Sequence, residues 1–279
     1  MANETTSSTI SELYTEIVAE ALFVASEQSI MRNLVRNYTI AGGGKSVEVP
    51  VYATVSASAV SEASDLSNTA VNPTSVTITA SEVGIMTTLT DLARNSASRN
   101  VAGDIGRLFG EAIARKVDAD LSALFTGFST EKAGGAGQEL TVQDIFEASA
   151  ELRTANAPAP YYGVFHPKQI FNVKKSLTNT FVGRDTDLSN EAMRSGFVGT
   201  IAGVQIFESS NISVDGSDDS IGGVFSQDAL ALAMMQDLKL ETQRDASLRA
   251  DEIVATAVYG VSEIHDSYGV KLTADTLAT

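Results

Sequence analysis

Residues 46–60 read Ser46-Val-Glu-Val-Pro-Val-Tyr-Ala-Thr-Val-Ser-Ala-Ser-Ala-Val60, and apolar side chains alternate with polar or small ones along this stretch. The alternation returns over residues 74–83, after the polar stretch 62–72 and Pro73. A period of two is typical of a β-strand that covers one face. The two segments therefore predict a long β-hairpin with a polar tip.

The size and composition of this hairpin predict that it projects from the molecule. Residues 46–61 would extend over about 50 Å, whereas a compact chain of this length has a radius of gyration of about 19 Å. Its outward positions carry small or polar side chains, and residues 46–93 contain neither Lys nor Arg. Because an isolated two-stranded ribbon is marginally stable, we expect another surface to hold it.

The strongest helical pattern begins at Val101 and runs to about Gly127, a length of about 40 Å. Apolar residues recur there at intervals of three and four, which is typical of an amphipathic helix. A weaker pattern of the same kind over residues 9–28 predicts an N-terminal helix or arm. The apolar positions of the long helix are Val101, Ile105, Leu108, Phe109, Ala112, Ile113, Val117, Leu121, Leu124 and Phe125.

The second half of the chain mixes short helices and strands. Thr141 is a predicted N-cap for a helix over 142–156, residues 161–165 predict a strand, and a further helix opens at 166–171. Regular alternation of strand and helix is missing, so the pattern predicts an α+β protein with an antiparallel tendency. The later predicted strands are 200–208, 222–225, 229–235, 238–244, 252–263 and 269–272.

Composition excludes several classes of protein. The 35 acidic and 19 basic residues give a formal net charge of −16, which disfavours sequence-independent binding of nucleic acid. The absence of cysteine excludes disulfides, thiolate metal sites and cysteine nucleophiles. There is no signal-peptide pattern and no apolar run of membrane-spanning length, so we expect a soluble chain without a membrane partner.

No motif predicts a catalytic, cofactor or metal site. Residues 42–46 resemble the end of a phosphate-binding loop, but Thr39 replaces its first glycine and a strand follows. His166 and His265 lack partners at ligand spacing, and His166 suits a capping or packing role. Asp266 could orient His265, yet no nucleophile motif is present. The acidic residues near 215–219 and 185–187 leave weak Ca²⁺ binding open as an alternative. The loop at 215–219 lacks the EF-hand pattern, so solvated charge is the prediction for these residues.

The order of these parts resembles the major capsid protein of tailed bacteriophages, with its HK-97-type fold. The resemblance covers nearly the whole chain and depends on several local stretches that occur in the family's order. These stretches are Gly44-Lys-Ser-Val-Glu-Val-Pro-Val51, Val164-Phe-His-Pro-Lys-Gln-Ile170, Gly196-Phe-Val-Gly-Thr-Ile-Ala-Gly-Val-Gln-Ile206, Gly223-Val-Phe-Ser-Gln-Asp-Ala-Leu-Ala-Leu-Ala233 and Asp251-Glu-Ile-Val-Ala-Thr-Ala-Val-Tyr-Gly-Val261.

The resemblance implies a division of the chain into four parts. They are an N-terminal arm at 1–40, an extended hairpin loop at 41–92, a peripheral domain at 93–138 and 241–279 with a spine helix at 100–127, and an axial domain at 139–240. Residues 241–262 are expected to return to the peripheral sheet.

The resemblance also implies a function and partners. Copies of the chain would form hexamers and pentamers of an icosahedral shell around double-stranded DNA, assembled in the host cytoplasm and found in the virion capsid. Implied partners are a separate scaffolding protein, a portal protein, decoration proteins and the packaged DNA, contacted weakly and without sequence specificity. Family members that crosslink use a loop lysine, and this chain has no lysine over 46–115, so a covalent link is not expected.

Two alternatives stay open at this stage. An encapsulin-like compartment would build a similar shell around a protein cargo. A soluble acidic enzyme or binding domain would instead behave as a small oligomer.

Two sets of residues are candidates for assembly functions. Glu62 and Asp65 on the loop are expected to meet Arg94, Arg99 or Arg107 of an adjoining subunit.

The second set is Gly103, Gly106 and Gly110, which follow each other at intervals of three and four in the long helix. Each glycine costs up to about 1 kcal/mol relative to alanine in a helix. They would either admit a neighbouring backbone or let the helix bend.

Overall fold

A computed structural model describes residues 29–41, 43–52, 55, 57, 59–60, 65, 68, 70–96, 101–132, 135–180 and 199–276. The predicted helix over 9–28 lies outside these residues.

The structure contains four α-helices and twelve strands in its described parts, in a mixed order that agrees with the predicted α+β class. The helices are α1 (Asp91–Ser96), α2 (Val101–Ala123), α3 (Val142–Thr154) and α4 (Pro167–Thr180), and short 3-10 helices cover Met31–Asn33, Leu124–Gly127 and Asp266–Tyr268. The strands are β1 (Arg36–Thr39), β2 (Ser46–Val51), β3 (Thr74–Thr79), β4 (Ser81–Thr90), β5 (Glu131–Lys132), β6 (Tyr161–Phe165), β7 (Thr200–Ile201), β8 (Val204–Glu208), β9 (Asp219–Ser226), β10 (Leu230–Asp245), β11 (Ala250–Glu263) and β12 (Gly269–Asp275).

The strands form three sheets. A four-stranded sheet has the order β1-β10-β11-β4, a six-stranded sheet has the order β5-β12-β9-β6-β8-β7, and β2 pairs with β3 alone. Within the four-stranded sheet, β1 runs parallel to β10 and the other neighbours are antiparallel. The proposed domain boundaries stay a prediction; all of β10 lies in the four-stranded sheet, and β12 lies in the six-stranded one.

Helix α2 packs its apolar face against the four-stranded sheet, as the long helical pattern predicts. Phe109, Val117 and Leu121 are buried in one core with side chains of β10 and β11. The 3-10 turn after α2 carries Phe125 into the same core, close to Phe225 of the six-stranded sheet. Leu108 is the exception to the prediction, because its side chain is 61% exposed.

The hairpin is shorter than predicted and its base is covered. β2 ends at Val51 rather than continuing to residue 60. Val49 and Ile78 are buried against Ala231 and Ala233 of β10, so the hairpin is seated on the four-stranded sheet.

The predicted second strand, 74–83, divides into two. The chain leaves β3 at Ala80, whose N–H donates to the Lys45 carbonyl at 2.8 Å, and continues as β4 in a different sheet. The crossing is close to β11: a Cβ added at Gly260 would lie 2.4 Å from the Thr79 carbonyl oxygen. Only a glycine allows the backbones to approach this closely.

Residues 29–40, the end of the predicted arm, belong to the core. Met31, Leu34 and Val35 are buried in the same cluster as α2. β1 then adds a parallel strand to the edge of β10. This part of the chain therefore helps to build the four-stranded sheet.

The second half agrees closely with the predicted elements, with two differences at turns. Thr141 starts α3 in a capping arrangement, in which its N–H and Oγ both donate to the Asp144 carboxylate at 2.7 and 2.8 Å. The predicted strand 200–208 divides into β7 and β8 at a turn in which Gly203 has a φ of 83°. The predicted strands 229–235 and 238–244 are instead one strand, β10, whose register with β11 shifts between Met234 and Lys239.

The two larger sheets are connected over a very short distance along the chain. Only residues 227–229 separate β9 in one sheet from β10 in the other. The Ala229 carbonyl accepts the N–H groups of Ile264 and His265 at 2.8 and 3.3 Å, where the chain returns from β11 towards β12.

Candidate assembly surface

The hairpin has one apolar face and one polar face. Cross-strand pairs on the apolar face are Val47 with Ile78 and Val49 with Val76, whereas Glu48 on the other face is opposite Thr77. The apolar face is covered at the base of the hairpin and becomes half-exposed towards Val51.

Beyond the last strand pair, large apolar side chains are exposed. The prediction of only small or polar outward positions was therefore wrong for this end of the hairpin. Four such side chains between residues 52 and 71 make this end of the hairpin a candidate contact surface for another molecule. The exposed fractions are 63% for Tyr52, 52% for Val55 and 50% each for Val60 and Val71.

The predicted charged contacts are only partly within the described residues. Asp65 is exposed on the loop and Arg107 is exposed on α2. Glu62 and Arg99 lie outside the described residues, as does the side chain of Arg94. Their contact across subunits stays a prediction.

The glycines of the long helix face the interior where they are described. Gly106 and Gly110 are both buried, and the surroundings of Gly103 lie outside the described residues. Burial agrees with close packing at these two positions, and the bending hypothesis stays a prediction.

Asp118 is a buried carboxylate that the sequence analysis missed. It lies on the core side of α2 and accepts the Ser29 hydroxyl at 2.8 Å and the N–H groups of Ile30 and Met31 at 3.1 and 3.2 Å. Burial raises the pKa of Asp118, and these hydrogen bonds oppose the shift. Because the partners are 87 to 89 residues apart in sequence, no local pattern signals this contact.

A second charged cluster, also missed, joins the end of β4 to the β10–β11 hairpin. The Arg244 guanidinium binds Asp91 through both carboxylate oxygens, at 2.7 and 2.6 Å, and Asp251 at 3.2 Å. These two carboxylates raise the pKa of Arg244. Leu92 and Leu248, at the same end of the sheet, are 80% and 59% exposed.

Glu263 and Asp266 place two carboxyl groups close to the end of α2. Burial and the neighbouring Asp266 carboxylate raise the pKa of Glu263. The Ser129 N–H and hydroxyl both donate to the Asp266 carboxylate, the former at 2.7 Å. The His265 ring packs against Tyr268, with ring centroids 4.6 Å apart, and burial lowers its pKa.

The remaining candidate residues have structural contacts. The Lys168 N–H donates to His166 Nδ1 at 3.4 Å, so His166 caps α4 as the sequence indicates. Asp215 accepts the N–H groups of Ser217 and Asp219 at 2.8 and 2.9 Å within its own turn. Among the described residues, no group of three or more His, Asp or Glu side chains could hold a metal ion.

No helix in the described part of the chain is both long and apolar enough to cross a bilayer.

The fold is shared with capsids of several bacteriophages. The capsid structure of cyanophage P-SCSP1u is 18% identical, with a TM-score of 0.70 and 88% of each chain covered. A Mycobacterium phage Che8 structure is 22% identical, with a TM-score of 0.65, covering 82% of this chain and 84% of that chain. The head structure of Helicobacter pylori bacteriophage KHP40 is 15% identical, with a TM-score of 0.66, covering 87% and 88%.

These similarities confirm the predicted α+β, HK-97-like capsid fold. No curated protein matches the sequence. The model of a protein family described as phage capsid protein matches residues 73–271, which are 199 of the 279 residues. The chain therefore belongs to the phage capsid protein family.

Proposed function

We propose that this chain is the major capsid protein of a tailed bacteriophage and that its copies form hexamers and pentamers of an icosahedral shell around double-stranded DNA. Membership of the phage capsid family supports this function. The main observation in favour of this function is the structure of the hairpin. Its base is buried against the four-stranded sheet, whereas Tyr52, Val55, Val60 and Val71 beyond the base are exposed.

The exposed end of the hairpin supplies the contact with a neighbouring subunit. Each half-exposed side chain of this size gains about 1 kcal/mol when a partner covers it, so the four together contribute about 4 kcal/mol per contact. A hairpin on one subunit meets a different surface on the next, which is a heterologous contact. Such contacts close into rings when the rotation between subunits allows it.

Ion pairs between subunits add to the stability of this contact, and no covalent link is expected. The described loop residues Glu48, Asp65 and Glu82 are exposed, and basic side chains of a neighbour, with Arg107 as a described candidate, would face them. Each such pair contributes about 0.2–1 kcal/mol. Residues 46–115 contain no lysine and the chain has no cysteine, so the shell is held together non-covalently.

The function proposed is structural rather than enzymatic. Among the acidic residues, Asp266 and Asp215 accept hydrogen bonds from nearby N–H groups. The scaffolding, portal and decoration proteins named above are proposed partners, and host cytoplasm is the proposed place of assembly. With a net charge of −16, contact with packaged DNA is weak and independent of sequence.

Electron microscopy and sedimentation of the expressed chain, alone and with the products of neighbouring genes, test this function. We expect closed shells for the wild type and weaker assembly for the double variant Tyr52→Ser, Val71→Ser. Leu108→Ser is the matched control, because Leu108 is as exposed as Tyr52 but lies on α2. A chain that stays a small oligomer under all conditions contradicts the proposal, and shells filled with protein rather than DNA favour the encapsulin-like alternative.

A further inference from the structure

Strand β4 has a long edge that no described strand covers. It pairs with β11 on one side, from Ser81 to Thr90, and forms the border of the four-stranded sheet. Among the described residues, no backbone hydrogen bond reaches its other side. Open strand edges are templates for pairing with another chain.

The other borders of the two larger sheets are protected in ways that β4 is not. β5 and β7, at the borders of the six-stranded sheet, have two residues each. β1 has four residues and begins with Arg36, which is paired with Asp228 at 2.8 Å. Short strands and charged side chains are the usual protection of an edge. β4 instead has ten residues, contains neither Pro, Lys nor Arg, and keeps an unbroken register with β11.

The two faces of β4 differ in a way that favours a partner strand of the same kind. Val83, Ile85 and Leu89 point to the side of the sheet that covers the core, and Leu89 is buried. On the opposite face, Met86 is 61% exposed and Glu82 is the only charged side chain. An added strand with the same pattern would extend the apolar layer and cover Met86.

We propose that the free edge of β4 pairs with β4 of a second copy of this chain, antiparallel and around a two-fold axis centred on Met86. In this register Met86 is opposite itself, and Glu82 is opposite Thr90. On the inner face Val83 is opposite Leu89, and Ile85 is opposite Thr87. No like charges meet, and the two four-stranded sheets become one eight-stranded sheet.

This contact differs from that of the hairpin, because the same surface is used on both copies. A shell whose rings of subunits are joined across two-fold axes would use both kinds of contact. The inference rests in that respect on the proposed function, and the experiment separates the two.

The native absence of cysteine allows a direct test by crosslinking. Opposed residues of an antiparallel pair have Cβ atoms about 4.5–5.5 Å apart, and a disulfide needs about 3.5–4.5 Å. Met86→Cys is therefore expected to give a disulfide-linked dimer on a non-reducing gel after mild oxidation. Leu108→Cys is the control, because the two wild-type side chains are equally exposed, at 61%. Equal crosslinking of both variants, or none of Met86→Cys, overturns the inference.

A charge pair at the same position gives a second readout. Met86→Lys places two positive charges opposite each other and is expected to abolish the pairing, whereas Met86→Lys mixed with Met86→Glu restores it. Leu108→Lys controls for a general effect of charge. If wild-type shells form but neither test detects the β4 contact, this inference fails and the proposed function stands. If Met86→Cys crosslinks in a dimer that never forms shells, the inference stands and the proposed function fails.

Discussion

Gly260→Ala is expected to lift the base of the hairpin from its sheet. The new Cβ would lie 2.4 Å from the Thr79 carbonyl oxygen and 2.8 Å from the Thr79 carbonyl carbon. Both are backbone atoms, so rotation of a side chain cannot relieve the clash. The crossing between β3 and β4 must therefore move away from Gly260.

The size of the effect follows from what this crossing holds in place. Overpacking of a core costs about 1–3 kcal/mol. If the shift also uncovers Val49 and Ile78, which are 6% and 1% exposed, a further 1.5–3 kcal/mol is lost for each, by the usual estimate of about 25 cal/mol per Å². We therefore expect the free energy of unfolding to fall by about 1–3 kcal/mol if the hairpin stays seated and by about 4–9 kcal/mol if both side chains are uncovered, with the hairpin affected before the rest of the sheet.

Hydrogen exchange and urea unfolding of the unassembled chain measure these two parts of the effect. Amides of residues 46–51 and 74–79 should exchange faster in Gly260→Ala, and shells should form less readily. Gly44→Ala is the control, because its Cβ would meet only the Ser46 carbonyl oxygen at an ordinary 3.8 Å. If exchange in the hairpin is unchanged and the free energy of unfolding is within about 0.5 kcal/mol of wild type, close packing at Gly260 does not hold the hairpin on its sheet.

Three further predictions concern groups in and beside the long helix. Asp118→Ala leaves the donors of Ser29, Ile30 and Met31 without their acceptor, so we expect the free energy of unfolding in urea to fall by about 2–4 kcal/mol. Ser29→Ala removes only one of these donors and should cost about 1 kcal/mol. Equal effects of the two substitutions would show that the Asp118 carboxylate does not hold this segment in place. Glu263 binds its proton more tightly in the folded state, so its ionisation destabilises the fold at neutral pH. Glu263→Gln should therefore raise the urea midpoint near pH 8, with the gain vanishing as the pH falls below the ordinary pKa of 4.5, and a gain that does not depend on pH contradicts the linkage. Gly106→Ala should lower stability or shell yield if this buried glycine is needed for close packing. If the glycine instead lets the helix bend, the substitution should only slow the expansion of the shell, which light scattering measures. Normal shell yield together with normal expansion contradicts both hypotheses.

The spacing of apolar residues predicted those elements that keep one face against the core along their whole length. α2 was visible because apolar residues mark one face for more than six turns, and α3 because Thr141 and Asp144 form a local cap. The predicted hairpin is longer than the observed one, because the alternation of apolar and polar residues continues after the strands stop pairing. Its length depends on where the sheet beneath it ends, and the sequence around β2 does not record that.

The candidate surface was predicted less well, because its parts are set by contacts distant in sequence. The position of the hairpin on the sheet depends on Ala231, Ala233 and Gly260. These residues are important because their small size lets the hairpin pack close to the sheet. The anchor at Asp118 was similarly hidden, since a single acidic residue on an apolar helix face gives no signal of its partners. The prediction of a continuous strand over 74–83 failed at Ala80 for the same reason.

The short connection at Ala229 has a mechanical consequence for the subunit. The two larger sheets are joined at residues 227–229 and at the return of the chain near Ile264, where one carbonyl group accepts two N–H groups. They also share one buried core, in which Phe125 packs against Phe225. Any tilt of one sheet against the other would therefore disturb this shared core as well as the few peptide groups of the connection. We therefore expect the subunit to behave as one stiff unit, so that differences in the angle between neighbours are taken up at the contacts between copies.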